Sequence, residues 1–150
     1  MFGFFSSNKQ RKAARRIASE LHRQVRDAIK ANEAEASSRV TSLFTLGYLY
    51  GLLRQGFTNQ GFQGEAMAEK YFKPICKKIP GNFYKVIREQ SDELEIAIEK
   101  NDKESISFYE SGLNAGIHDA VMFRISASNV ENNFFNYLTN QALDFEDKSK

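Results

Sequence analysis

The sequence has few of the residues that build metal centres, disulfide scaffolds and membrane spans. It contains no tryptophan, one cysteine (Cys76) and two histidines (His22 and His118). A single cysteine cannot form an internal disulfide, which is typical of proteins in a reducing compartment. Two histidines and one cysteine also provide none of the spacings of known zinc sites. We therefore expect a cytoplasmic protein, either free or peripheral to a membrane, with no metal ion and no cofactor.

Proline and long apolar runs are scarce as well. The only prolines are Pro74 and Pro80, so long stretches of the chain are free to form helices. The longest nearly unbroken apolar run is Leu43–Leu53, which is well short of the roughly 20 residues that cross a bilayer. A short helix that is apolar on all sides is typical of a buried core. We expect this run to be the central helix of an all-α fold.

The remaining periodicity predicts one all-α domain over residues 1–150, a bundle of five or six helices. Ser37 and Ser38 are predicted to cap the second helix, and Pro74 to kink or break the third. The glycine-rich stretch 55–64 is predicted to be a loop. The expected helices are 9–35, 39–55, 65–78, 83–100, 103–126 and 130–143, with an apolar tip at 1–7, a turn at 80–82 and a frayed tail at 144–150.

Two pairs of glycines are spaced four residues apart, Gly47 with Gly51 and Gly112 with Gly116. On a helix each pair lies on one face, where a second helix can approach closely. We expect the two glycine faces to pack against each other. The pairs are also 65 residues apart, and at that offset several other positions match. The offset indicates either two pseudo-repeated three-helix units or a chance alignment of similar amphipathic helices.

The basic residues are concentrated in the first helix. Residues 1–30 hold eight Lys and Arg but only two acidic residues, whereas the whole chain has a net charge of only +2. Apolar residues from Ala14 to Ala28 share one arc of this helix. The opposite arc is predicted to bind a polyanion or a partner through Arg11, Arg15, His22, Arg26 and Lys30.

This basic arc is open to several interpretations. It can be a solvated surface or a docking surface for an acidic protein. It can also bind an anionic membrane, with phenylalanines of the tip inserting beside it, or a nucleic acid. The first 19 residues contain no acidic residue, which is also a feature of mitochondrial presequences.

Thirteen phenylalanines are more than a small core readily hides. Phe57 and Phe62 lie in the predicted loop, and Phe135 follows another phenylalanine directly, so the two rings cannot point the same way. We predict that Phe57, Phe62 and Phe135 contribute to an interface, and we expect a homodimer. The alternative for Phe57 and Phe62 is that they fold back onto the core.

Catalytic motifs are missing from the sequence. It has no nucleophile elbow and no phosphate-binding glycine loop. Cys76 is expected to be a buried thiol, although Lys77 and Lys78 flank it. The sequence therefore favours a non-catalytic helical interaction or regulatory protein with an unidentified protein partner. The alternative is a peripheral membrane or nucleic-acid binder that uses the basic helix. A third hypothesis is an enzyme with a cryptic site near His118, where Glu110 and Asn114 share its helix face.

Overall fold

The computed structural model describes residues 2–79, 83–125 and 133–141, and only the backbone of residues 2–7 and 122–125. Within these residues every regular element is a helix, which confirms the all-α prediction. Seven helices are described, one more than the upper expectation. They are α1 (Phe2–Ala31), α2 (Glu33–Val40), α3 (Leu43–Asn59), α4 (Gly64–Lys77), α5 (Phe83–Glu99), α6 (Lys103–Ile125) and α7 (Asn133–Leu138).

The extra helix results from a break between α1 and α3 that the sequence analysis misplaced. Asn32 caps α2, because its side-chain oxygen accepts the backbone N–H of Glu35 at 3.1 Å. Ser37 and Ser38 therefore lie inside α2, and their assignment as caps was wrong. Ser42 caps α3 instead. The segment predicted as an apolar tip is also helical, since α1 begins at Phe2.

The predicted loop at 55–64 is mostly helix. Helix α3 continues to Asn59, and Phe57 is completely buried. Its ring stacks on Tyr71 of α4 with 5.4 Å between centroids, so tertiary packing overrides the low helix propensity of the glycines. Helix α4 likewise runs through Pro74 to Lys77, and the predicted break did not occur. The turn predicted at 80–82 and the tail predicted at 144–150 lie outside the described residues.

Helix α3 occupies the centre of the bundle, as the apolar run predicted. Leu46, Tyr48, Leu49 and Leu53 are at most 1% exposed. Helices α1, α4, α5 and α6 all pack against α3. Of the two remaining helices, α2 packs on α1 and α7. Helix α7 is attached by aromatic contacts, and Phe134 stacks on the Tyr48 ring at 4.6 Å. The bundle therefore consists of amphipathic helices that surround one apolar helix.

The glycine faces of α3 and α6 pack against each other, which confirms the prediction made from their spacing. A Cβ atom at Gly47 would overlap the carbonyl oxygen of Tyr109, and the equivalent atoms at Gly51, Gly112 and Gly116 would also meet backbone of the opposite helix. The two backbones are thus in direct contact. The helices run parallel, because moving along α3 from Gly47 to Gly51 moves the contacts forward along α6.

These contacts obey the 65-residue offset. Gly51 of α3 faces the carbonyl of Leu113 on α6, and Gly116 of α6 faces the carbonyl of Tyr48 on α3. The two contacts are equivalent, because Gly116 is 65 residues after Gly51 and Leu113 is 65 residues after Tyr48. Part of the surrounding packing follows the same exchange, since α1 packs on α3 as α5 packs on α6, and α4 packs on α3 as α7 packs on α6. The contact of α5 with α3 departs from it, because among the described residues α1 makes no equally extensive contact with α6. The centre of the fold therefore has the contacts of a pseudo-twofold pair. Helix α2 has no equivalent in the second half of this pair, because the positions 65 residues after it span the end of α5 and the start of α6.

Candidate anion-binding groove

The two faces of α1 divide as the sequence predicted. The apolar arc is buried in the bundle: Ala14, Ile17, Leu21, Val25 and Ala28 are all at most 7% exposed. On the opposite arc Arg11, Arg15, Arg26 and Lys30 are exposed and His22 is half-buried. Burial of the apolar arc fixes the rotation of α1 about its axis. The bundle therefore holds the row of basic side chains at the surface.

Part of this row lines a groove. The groove has a volume of about 550 Å³ and is lined by Ala18, Ser19 and five basic residues: Arg15, His22, Arg23, Arg26 and Lys78. Lys78 is the C-cap residue of α4, and the burial of its neighbour Ile79 holds the end of α4 against the bundle. None of the described residues that line the groove is acidic. We call this site the α1–α4 groove.

The positive charge is not evenly available along the groove. Arg23 donates to both carboxylate oxygens of Glu20, and this hydrogen bond is the main cause of a raised pKa for its guanidinium. Asp27 lies 3.5 Å from both Arg23 and Arg26. Among the described residues, no carboxylate forms an ion pair with Arg15 or Lys78. The end of the groove near Arg15 is therefore the more electropositive end.

The structure brings together three of the five predicted binding residues, Arg15, His22 and Arg26. Arg11 and Lys30 lie on the same helix face and are exposed, but they are not part of the groove. The sequence analysis did not select Lys78, which belongs to another helix. The only signal for Lys78 in the sequence was the pair Lys77-Lys78. The position at which α4 ends decides which of these two lysines points toward α1.

A second basic depression lies near the start of α1. It has a volume of about 350 Å³ and is lined by Ala13, Gln60 and the side chains of Lys9, Lys12, Arg16 and Phe62. Phe62 is half-buried, and its ring meets that of Phe57 edge to face at 6.2 Å. Phe62 is thus a predicted interface residue that is partly exposed and lies next to basic side chains.

The other two predicted interface residues are placed differently. Phe57 is 0% exposed and belongs to the core, so its assignment to an interface was wrong. The physical reason is the extension of α3, which turns this ring toward α4. Phe135 is half-buried and packs against the core at α7, beside the fully buried Phe134.

A buried polar network that the sequence analysis missed crosses the interior of the bundle. The Tyr48 hydroxyl donates to Asp119 Oδ2 at 2.7 Å, and Asn133 Nδ2 donates to Asp119 Oδ1 at 2.6 Å. Gln24 Nε2 donates to the Tyr48 oxygen at 3.4 Å, and Gln24 Oε1 accepts the backbone N–H of Phe135 at 3.0 Å. The network joins α1, α3, α6 and α7. All four side chains are 0% exposed.

Burial from solvent determines the protonation state of the tyrosine in this network. Burial, followed by the adjacent Asp119 carboxylate, raises the pKa of the Tyr48 hydroxyl well above its ordinary value, so Tyr48 stays neutral and donates. Two signals in the sequence could have revealed the network. Gln24 is a polar residue within the apolar arc of α1, and Asp119 is a lone acid in an otherwise uncharged stretch of α6. Because the network is sealed from solvent, we assign it to the architecture of the bundle.

The residues considered for chemistry show no assembled centre. His118 is half-buried on α6, and within the described part of the chain no three His, Cys, Asp or Glu side chains are grouped closely enough to hold a metal ion. Cys76 is completely buried, as expected. Burial raises the pKa of the Cys76 thiol to about 12, and the exposed lysines that follow it do not prevent this.

We therefore expect Cys76 to be chemically inert in the folded protein. At pH 8 its alkylation by iodoacetamide should be at least about a hundredfold slower than that of an exposed thiol, because thiolate is the reactive species. A Ser38→Cys variant supplies an exposed thiol in the same chain, and mass spectrometry of the peptides distinguishes the two sites. Equal labelling rates at the two positions would contradict the buried assignment.

None of the described helices is both long enough and apolar enough to cross a membrane. Comparison with protein families, with characterised proteins and with solved structures finds no match to this chain. The fold and the groove thus define a class, an all-α bundle with a basic surface groove, and any function has to be argued from the groove itself.

Proposed function

We propose that this protein is a non-catalytic interaction protein and that the α1–α4 groove docks an acidic segment of a protein partner. The observation that carries the proposal is the lining of the groove, in which basic side chains from two helices converge and no described acidic residue is included. Arg15 and Lys78 are exposed and have no carboxylate partner among the described residues. A carboxylate entering the groove would form charge-assisted hydrogen bonds with them.

The burial of the apolar arc favours a protein partner over a lipid surface. An amphipathic helix binds a bilayer by inserting its apolar face between the lipid headgroups. In α1 that face is committed to the core, and Leu21 and Ala28 are 0% exposed. Membrane binding by the described surface of α1 would thus rest on charge alone.

A charge-reversal pair tests the proposal. We expect the double variant Arg15→Glu/Arg26→Glu to bind a fluorescent decapeptide of alternating Asp and Glu at least tenfold more weakly than the unchanged protein at 50 mM salt. The control is Lys85→Glu/Arg88→Glu, which makes the same change in net charge at exposed positions of α5. The control should retain most of the affinity, because these residues do not line the groove.

Fluorescence anisotropy provides the affinities, with duplex DNA and vesicles containing anionic lipid as parallel ligands. Equal loss in the two double variants would contradict the proposal, because the binding would then follow net charge and not the groove. Binding of DNA or vesicles without binding of the peptide would also contradict it and would favour the alternative classes of partner.

A further inference from the structure

We infer that the end of the groove near Arg15 is a phosphate site, and that it receives a phosphorylated side chain of the protein partner. This inference rests on the proposed function and makes it more specific. Arg15, Ser19 and His22 follow one another on the same face of α1 at spacings of four and three residues. Arg15 and His22 are therefore two helical turns apart, about 10 Å along the axis, with Ser19 between them.

This spacing suits a single anion placed over Ser19. Side chains one turn before and one turn after it can reach inward along the helix, and Lys78 faces the same groove from the end of α4. The donors therefore come from at least three directions: a guanidinium, an imidazole, a hydroxyl and an ammonium group. A tetrahedral phosphate offers three terminal oxygens to such a set, whereas a planar carboxylate offers only two.

The distribution of ion pairs locates the site within the groove. Glu20 and Asp27 pair with Arg23 and Arg26, so the charge of these two guanidinium groups is already partly neutralised. No described carboxylate pairs with Arg15 or Lys78, so a dianion bound by these two side chains displaces no described ion pair. Arg11 provides the matched comparison, because it is exposed on the same stripe one turn earlier but lies outside the groove.

The test uses the full chain and three nonapeptides with acidic flanks that carry phosphoserine, serine or glutamate at the centre. We expect the phosphoserine peptide to bind at least tenfold more tightly than the other two, measured by isothermal titration calorimetry. Arg15→Ala and Lys78→Ala should each remove most of that difference. Arg11→Ala should change the affinity less than about threefold, since it removes the same charge outside the site.

The possible outcomes are separable. Binding of all three peptides with equal affinity would overturn the phosphate site while leaving the acidic partner intact, and binding of none would overturn both. Equal losses in Arg11→Ala and Arg15→Ala would overturn the site in favour of diffuse attraction. Phosphatidylcholine vesicles with 20% phosphatidic acid form a separate arm, and binding confined to these vesicles would overturn the protein partner in favour of a lipid phosphate. Circular dichroism of each variant establishes that its fold is unchanged.

Discussion

Gly51→Ala and Gly116→Ala are each expected to lower the free energy of unfolding by about 3 kcal/mol, the upper end of the usual range for overpacking. At either position the new Cβ would overlap a backbone carbonyl of the opposite helix, and a backbone cannot move aside as a flexible side chain can. In a chain of this size, about 3 kcal/mol corresponds to a fall of roughly 6–12 °C in Tm. Urea unfolding followed by circular dichroism measures the change.

The matched control lies on the same helix. Gly56 faces the flexible end of the Ile17 side chain at 3.2 Å and no backbone. Gly56→Ala should therefore be neutral or slightly stabilising, since alanine is about 1 kcal/mol better than glycine inside a helix. Equal effects at Gly51 and Gly56 would show that helix propensity and not contact between the backbones decides the result. The double variant Gly51→Ala/Gly116→Ala should lose less than the sum of its parts, because one added Cβ already separates the helices.

Asp119→Leu is expected to cost about 3 kcal/mol or more of unfolding free energy. The substitution deprives the Tyr48 hydroxyl and the Asn133 amide of their acceptor, and both groups are 0% exposed. A buried donor left without an acceptor costs about 1–3 kcal/mol, and the lost acceptor here is a carboxylate, for which values are larger. Thermal and urea unfolding measure the loss.

A double-mutant cycle separates the network from other effects at this position. Tyr48→Phe removes one of the orphaned donors, so the combination Tyr48→Phe/Asp119→Leu should be more stable than the sum of the single changes predicts. Asp92→Leu on the exposed face of α5 is the control and should stay within about 0.5 kcal/mol of the unchanged protein. Strict additivity of Tyr48→Phe and Asp119→Leu would contradict the hydrogen bond between these side chains.

The elements that the sequence predicted well are those with a strong period and no competing signal. The basic and apolar arcs of α1, the central apolar helix and the facing glycine pairs all follow from the 3.6-residue repeat. Asp102 is a residue type that favours a helix N-cap, and it caps α6 by accepting the backbone N–H of Ser105 at 3.3 Å. Each of these features depends on a pattern within one helix, so the linear sequence contains the information.

What the sequence left open depends on contacts between distant residues. The extension of α3 through Gly56 is accompanied by packing of the Tyr71 ring on Phe57. Between α1 and α3 the sequence offers several residues that can cap a helix, and the structure uses Asn32 and Ser42. The α1–α4 groove and the buried polar network also depend on contacts between distant residues. Lys78 enters the groove only because α4 ends beside α1, and Asp119 becomes a buried acceptor only because Tyr48 and Asn133 come from other helices. A helical pattern specifies which face of each helix is apolar, but the packing of the faces decides which side chains meet.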